Sequence, residues 1–262
     1  MEAEKVLIIA AHPDDEVIGA GARFTEFGER LRIVIVTDGS PQDLTDARNA
    51  GFSTREDYAA GRFEESANAA LLARITRAQY RCLGFRDQEA SLQLVEIARS
   101  IEAIVERERP GIIYTHPYEG GHPDHDATAF AVQMAIRSLD PQPLLCEFAS
   151  YHAGPDGAVV TGSFLADPSR PIITNKLTEQ QEELKRRMFN CYASQQHVLA
   201  MFQLETEAFR PAPDYDFTKA PHSGCLHYEN YDWGMTGERF RELAAQAQNT
   251  LDEELSNAAD NS

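Results

Sequence analysis

The stretch Val6-Leu-Ile-Ile-Ala-Ala11, followed at once by His12-Pro-Asp-Asp15, decides the fold class. Six apolar residues in a row, without alternation, suit a strand buried on both faces, and such strands belong to parallel sheets covered by helices. The abrupt change to His-Pro-Asp-Asp marks the carboxyl end of that strand. From Glu16 to about Glu29 the chain then reads as a helix, with Val17, Ile18, Phe24 and Phe27 available for its buried face.

Outward from this unit the pattern repeats. Strands are expected over 31–37, 79–83, 111–115 and 144–148, and helices over 56–77, 91–109 (with Ser91 as N-cap) and 125–139. Strands alternating with helices predict βαβ units and a mostly parallel sheet with helices on both faces, an α/β Rossmann-like doubly wound fold. In the order 3-2-1-4-5 the first and fourth strands meet at the switch point, where ligands of such folds bind. Beyond residue 150 the periodicity weakens. A helix is expected over 178–193 with Thr178 as N-cap, another over 237–254, and a frayed acidic tail over 255–262. The whole chain, 1–262, reads as one domain: a Rossmann-like core over about 5–150 and an irregular C-terminal extension over 151–262 on the substrate side.

With 42 acidic and 24 basic side chains the formal charge is −18, which disfavours nucleic acid and anionic membranes as partners. The four cysteines, Cys82, Cys146, Cys191 and Cys225, form neither a Cys-x-x-Cys pair nor a disulfide framework. No basic n-region with an apolar run behind it opens the chain, and no run approaches the roughly 18 apolar residues of a membrane span. A cytoplasmic enzyme is the expectation, with a homo-oligomer left open.

Two motifs carry the chemistry, Ala11-His-Pro-Asp-Asp-Glu16 and Gly120-Gly-His-Pro-Asp-His-Asp126. Each puts imidazole and carboxylate groups just after an apolar strand, and the predicted topology brings both strand ends to one crevice. One His-Pro-Asp alone is most often a turn that caps a helix. Two of them at neighbouring strand ends read as a metal site. A catalytic zinc needs about three protein ligands and one open position. His12, Asp15 and one of His122 or His125 meet that need. Asp14 is placed to take a proton from water, the other histidine to stabilise an oxyanion or protonate an amine, and Asp124 to orient an imidazole.

At these residues the chain resembles the LmbE-like, or PIG-L, family of zinc-dependent N-acetylglucosaminyl deacetylases. Thr37-Asp38-Gly39, Arg62-x-x-Glu65, Leu83-Gly84 and Ser194-Gln195 resemble further family elements, so the likeness covers about residues 5–200. It implies one Zn²⁺ held by His12, Asp15 and His125, with Asp14 as general base, His122 as electrostatic catalyst or acid, and Asp124 as its orienting partner. Arg62 and Asp87 would contact the sugar, and the substrate would be a small N-acetylated sugar or glycoconjugate. Two positions depart from the family pattern: Tyr192 stands where many relatives have a His, and Gly120 where some have a Tyr. His116, Tyr118, Glu119, Tyr151, His152, Phe209 and Trp233 are further pocket candidates, and loops 40–60, 150–175 and 205–235 are expected to set specificity.

Three rivals are weaker. A dinucleotide enzyme needs Gly-x-Gly-x-x-Gly after the first strand, but Gly19 and Gly21 fall inside the expected helix and the third glycine is missing. A phosphoesterase would want clustered Arg or Lys. A sugar-binding module would not need Asp14 beside a metal.

Overall fold

The computed structural model describes residues 4–260. Nine strands occur among them: β1 (Val6–Ala10), β2 (Leu31–Thr37), β3 (Tyr80–Phe85), β4 (Ile112–Thr115), β5 (Leu144–Phe148), β6 (Tyr151–Ala153), β7 (Val159–Thr161), β8 (Ile173–Lys176) and β9 (Thr206–Pro211). The α-helices are α1 (Asp15–Ala20), α2 (Phe24–Phe27), α3 (Thr45–Asn49), α4 (Arg55–Leu72), α5 (Leu94–Glu108), α6 (Pro123–Ile136), α7 (Glu179–Phe189), α8 (Gln196–Leu199) and α9 (Gly237–Asp260). The main sheet runs β3-β2-β1-β4-β5-β9-β8. Its first five strands are parallel and in the expected order.

β1 is buried on both faces, and its side chains divide between two cores. Leu7 and Ile9 join Val34, Val36 and Ile113 under α5, α6 and α9. Val6, Ile8 and Ala10 join Ile33, Ile35 and Tyr114 under α1, α4 and α7. This period-two split is why the run has no polar residue. On α5, Ile97, Ile101 and Ile104 are all buried, and each contributes about 1.5–3 kcal/mol by leaving water.

Several expectations are corrected. The helix read over 16–29 is broken into α1 and α2 with 3₁₀ turns at Gly21–Arg23 and Gly28–Arg30. Gly19 explains the tightness of this segment: a Cβ there would overlap the ring of Phe148. Ser91 is not an N-cap; it sits in a 3₁₀ turn, and its hydroxyl donates to the Pro123 carbonyl at 3.1 Å. The turn-rich stretch 40–54 holds the short helix α3. Thr178 does cap α7, with Gln181 completing a capping box. The region after 150 is not wholly irregular, because β9 pairs antiparallel with β5 and β8 with β9, which carries the main sheet past the expected core. The terminal helix continues to Asp260 in place of a frayed tail, and residues 261 and 262 lie outside the described residues.

Candidate active site

The chain turns immediately after β1. The N–H groups of Asp14 and Asp15 both donate to the His12 carbonyl, at 2.9 and 3.3 Å. Asp15 opens α1, and its Oδ2 accepts from the His12 N–H at 2.8 Å. That same oxygen lies 3.0 Å from His12 Nδ1, 3.3 Å from His125 Nε2 and 3.4 Å from His116 Nε2. His116, at the end of β4, accepts the Ala11 N–H through Nε2 at 3.0 Å and stacks on His125 with ring centroids 3.9 Å apart. His122 caps α6 by accepting the Asp124 N–H at Nδ1, with Pro123 in the first turn.

His12, Asp15 and His125 therefore meet, offering ligand atoms within 4.8 Å of one another. The same holds for a second set, His12, Asp87, His122 and Asp124, which sequence reasoning did not assemble. Asp15 approaches His12 at Nδ1, whereas Asp87 and Asp124 approach it at Nε2. Asp124 is already spent on structure: its carboxylate accepts the N–H of Gln88 at 2.6 Å and of Ala90 at 3.1 Å. It is fully buried and does not line the cavity, whereas His12, Asp15 and His125 all do. His125 Nε2 is buried and makes no hydrogen bond. Those residues suit a metal with an open position better than the second set.

The electrostatics agree. Burial opposes a charge on His12, yet Asp87, Asp124 and Asp15 hold it well above the ordinary histidine range. Three carboxylates around one imidazole concentrate negative charge that a cation in the same place would offset. Burial pushes His125 down to about 4, keeping its imidazole neutral. Burial and the neighbouring His12 also push His122 well below the usual value. Burial lifts Asp14 up to about 7 against the opposing charge of Arg62.

Arg62, on α4, is 5% exposed, and both terminal nitrogens of its guanidinium are hydrogen-bonded while Nε is buried without a partner. It donates to the Gly39 carbonyl at 2.7 Å, the Pro13 carbonyl at 3.2 Å and Asp14 Oδ2 at 2.8 Å. Asp87 lies 3.2 Å from His12 Nε2 and 4.0 Å from His122 Nε2. Both face inward to the site as well as lining the cavity. Asp124 Oδ2 is 3.2 Å from His12 Nε2 but 3.9 Å from His122 Nδ1, so the imidazole it steadies is His12 and not, as expected, His122.

Glu16 is a hub that the motif contains but sequence reasoning left without a role. Fully buried, it accepts the hydroxyls of Ser66 at 2.6 Å, Tyr80 at 3.0 Å and Tyr192 at 3.0 Å, and the Asp14 N–H at 3.0 Å. Tyr192, the departure from the family histidine, thus supports Asp14 from behind. Glu65 holds Ser194 at 2.6 Å, which joins the two supporting motifs. Gly120 has φ +69, and its carbonyl accepts the His227 N–H at 2.8 Å; a Cβ on Gly121 would overlap the Tyr151 carbonyl. These glycines let the loop after β4 lie against Tyr151 and His227, both of which line the cavity. Trp233 and Tyr231 line it too, whereas Phe209 is buried in β9 and Tyr118 among Phe217 and Phe240. His152 donates from Nδ1 to the Ala153 carbonyl at 3.0 Å, and Glu119 pairs with Arg210 at 2.8 Å, both outside the cavity lining. Gln88, another lining residue, holds a left-handed φ of 68°.

Comparison with known proteins places this geometry. The PIG-L family profile, described as GlcNAc-PI de-N-acetylase, matches residues 7–136. The chain is 33% identical over 179 residues to a probable N-acetyl-alpha-D-glucosaminyl L-malate deacetylase 2 of Bacillus cereus, covering 66% of this chain and 76% of that one. It is 33% identical over 136 residues to a diacetylchitobiose deacetylase of Thermococcus kodakarensis, spanning 49% of this chain and only 48% of that relative. A deacetylase from the teicoplanin biosynthesis pathway shares the fold with a TM-score of 0.62 at 19% identity, over 81% of this chain and 99% of that one. No helix among the described residues is long and apolar enough to cross a membrane. Two His-Pro-Asp loops at the switch point of a parallel sheet, together with the extent of the Bacillus cereus match, establish that the chain belongs to the PIG-L, or LmbE-like, family.

Proposed function

We propose that the protein is a zinc-dependent N-deacetylase acting on an N-acetylated amino sugar or its conjugate, with one Zn²⁺ held by His12, Asp15 and His125. The observation that carries this is the buried Asp14 carboxylate, fixed by Arg62 on the wall of the cavity that these three residues share. Two imidazoles and a carboxylate are a common zinc donor set. When bound, such an ion polarises a carbonyl and lowers the pKa of water toward ~7.

The chain's own groups account for the proton traffic. Asp14 accepts a proton from the water whose oxygen bonds to the acetyl carbon. His122 Nδ1 is occupied by the Asp124 N–H, so the neutral ring carries its proton on Nε2 and donates from there to the developing oxyanion. As the C–N bond breaks, Asp14 returns its proton to the leaving amine, giving acetate and the free amino sugar. Asp87 and Asp124 hold His12 in place, and Arg62 holds Asp14. Relatives named for diacetylchitobiose and for a glucosaminyl malate support an N-acetylglucosamine unit. Four free cysteines fit a cytoplasmic setting.

The test is Asp14→Ala. Acetate release should fall by about 10²–10⁴-fold, the usual loss for a positioned base, while zinc content by elemental analysis stays at one per chain. Normal turnover by this variant removes the base assignment. No acetate from any of a panel of N-acetylated sugars removes the deacetylase reading.

A further inference from the structure

Resting on that reading, we infer that the group attached to the acetylated sugar is uncharged and presents an apolar face, which docks on Tyr231 and Trp233 at the mouth of the cavity. The cavity has a volume of about 450 Å³. Its wall carries the carboxylates of Asp14, Asp15, Asp46 and Asp87, no lysine, and a single guanidinium. The Nη1 and Nη2 of that guanidinium, Arg62, donate to Gly39, Pro13 and Asp14, and its Nε is buried. A carboxylate or phosphate on the substrate would find no cation outside the metal and would face Asp46 on α3.

What the wall offers instead is apolar. Tyr231 and Trp233 stack face to face, with centroids 4.5 Å apart and planes 9° from parallel. Trp233 also packs on His122 at 4.7 Å, so this platform begins where the reacting amide would sit. Tyr231 is 47% exposed, Met201 45% and Val159 38%, and all three line this cavity. Large apolar side chains left in water around one opening mark a binding surface. Aromatic faces suit the C–H face of a neutral sugar or an aryl group.

Trp233 is the chain's one tryptophan, so its fluorescence reports occupancy independently of turnover. Zinc-loaded protein is titrated with free N-acetylglucosamine, its benzyl glycoside and its malate conjugate, and acetate release is followed on the same three. The benzyl glycoside should bind about 3- to 10-fold more tightly than the free sugar, and Tyr231→Ala should erase that gain. The malate conjugate should bind at least about tenfold more weakly than the benzyl glycoside at low salt, with the gap narrowing as salt is raised. Asp46→Arg should also narrow it. A malate conjugate that binds as well as the benzyl glycoside, or a benzyl group that adds nothing, overturns the inference even if acetate is released. The expected ranking without acetate from any compound sinks the deacetylase reading and leaves the docking surface standing. No fluorescence response to any compound overturns the docking surface, and acetate release alone then decides the deacetylase reading.

Discussion

Replacing Arg62 by Gln separates two roles that sequence reasoning could not. The guanidinium and the Asp14 carboxylate are both buried and 2.8 Å apart at their nearest atoms. Taking a charge-to-charge distance of ~4 Å and an effective dielectric constant of ~20, their attraction is about 4 kcal/mol. At ~1.4 kcal/mol per pKa unit this bounds the effect near three units, and a neighbouring cation and relaxation reduce it to about 1–3. Burial already raises Asp14 to about 7 in the metal-free site, and a bound cation lowers it again. Asp14 must be ionised to act as base, so activity is present above its pKa and lost as pH falls through it. Removing Arg62 should therefore move the acid limb of kcat/KM for acetate release upward by about 1–3 units in zinc-loaded protein. Stability follows the same logic. The variant buries an uncompensated carboxylate, at about 3–5 kcal/mol. A carboxyl group whose folded pKa is raised binds its proton on folding, so the stability it contributes is complete below the unfolded value near ~3.9 and is lost as pH rises through the folded value. Thermal melts should show a larger deficit at pH 8.5 than at pH 5.5. An unchanged acid limb with a raised KM alone would refute this reasoning and return Arg62 to the role of a sugar contact.

Other perturbations have equally definite outcomes. His125→Ala should lose the zinc, read by elemental analysis, and a chelator should abolish acetate release that added Zn²⁺ restores. Gly121→Ala forces a Cβ onto the Tyr151 carbonyl, and overpacking of this kind costs about 1–3 kcal/mol, measured by urea denaturation. Glu16→Gln replaces an acceptor of four hydrogen bonds with a group that cannot accept them all; the expected loss is about 1–3 kcal/mol of stability together with reduced kcat, because the Asp14 N–H loses its anchor. Lys185→Met strands Glu207, its buried partner at 2.8 Å, and should lower stability by about 3–5 kcal/mol at neutral pH by calorimetry.

The order of the first five strands was legible because β1 and β2 are nearly continuous apolar runs, and the two His-Pro-Asp loops were legible because each follows one directly. β9 was hidden by its own chemistry. Glu207 and Arg210 are buried in it, neutralised by Lys185 and by Glu147 with Glu119, so its composition looks like that of a surface loop. β8 is an edge strand with little buried surface and hence no apolar signature. Tyr231 and His227 escaped notice because no local pattern marks them; they reach the cavity only through the Gly120 carbonyl bond and the stacking of distant segments. The exchange of His122 for His12 as the partner of Asp124 was likewise beyond sequence, since it depends on the amides of the 88–90 turn occupying that carboxylate.

The left-handed backbone at Gln88 has a consequence for how this protein could be reshaped. A side chain in that conformation costs roughly 1 kcal/mol that glycine would not incur. Here the Asp124 carboxylate clamps the Gln88 amide and touches His12 as well, which ties the turn after β3 to the loops after β1 and β4. Gln88→Gly would relax the turn while removing an amide side chain from the cavity wall. Stability and substrate grip are thus set against each other at one position, and the loop connecting β3 to α5 can be lengthened or recoded only by a chain that still delivers two N–H groups to the same carboxylate.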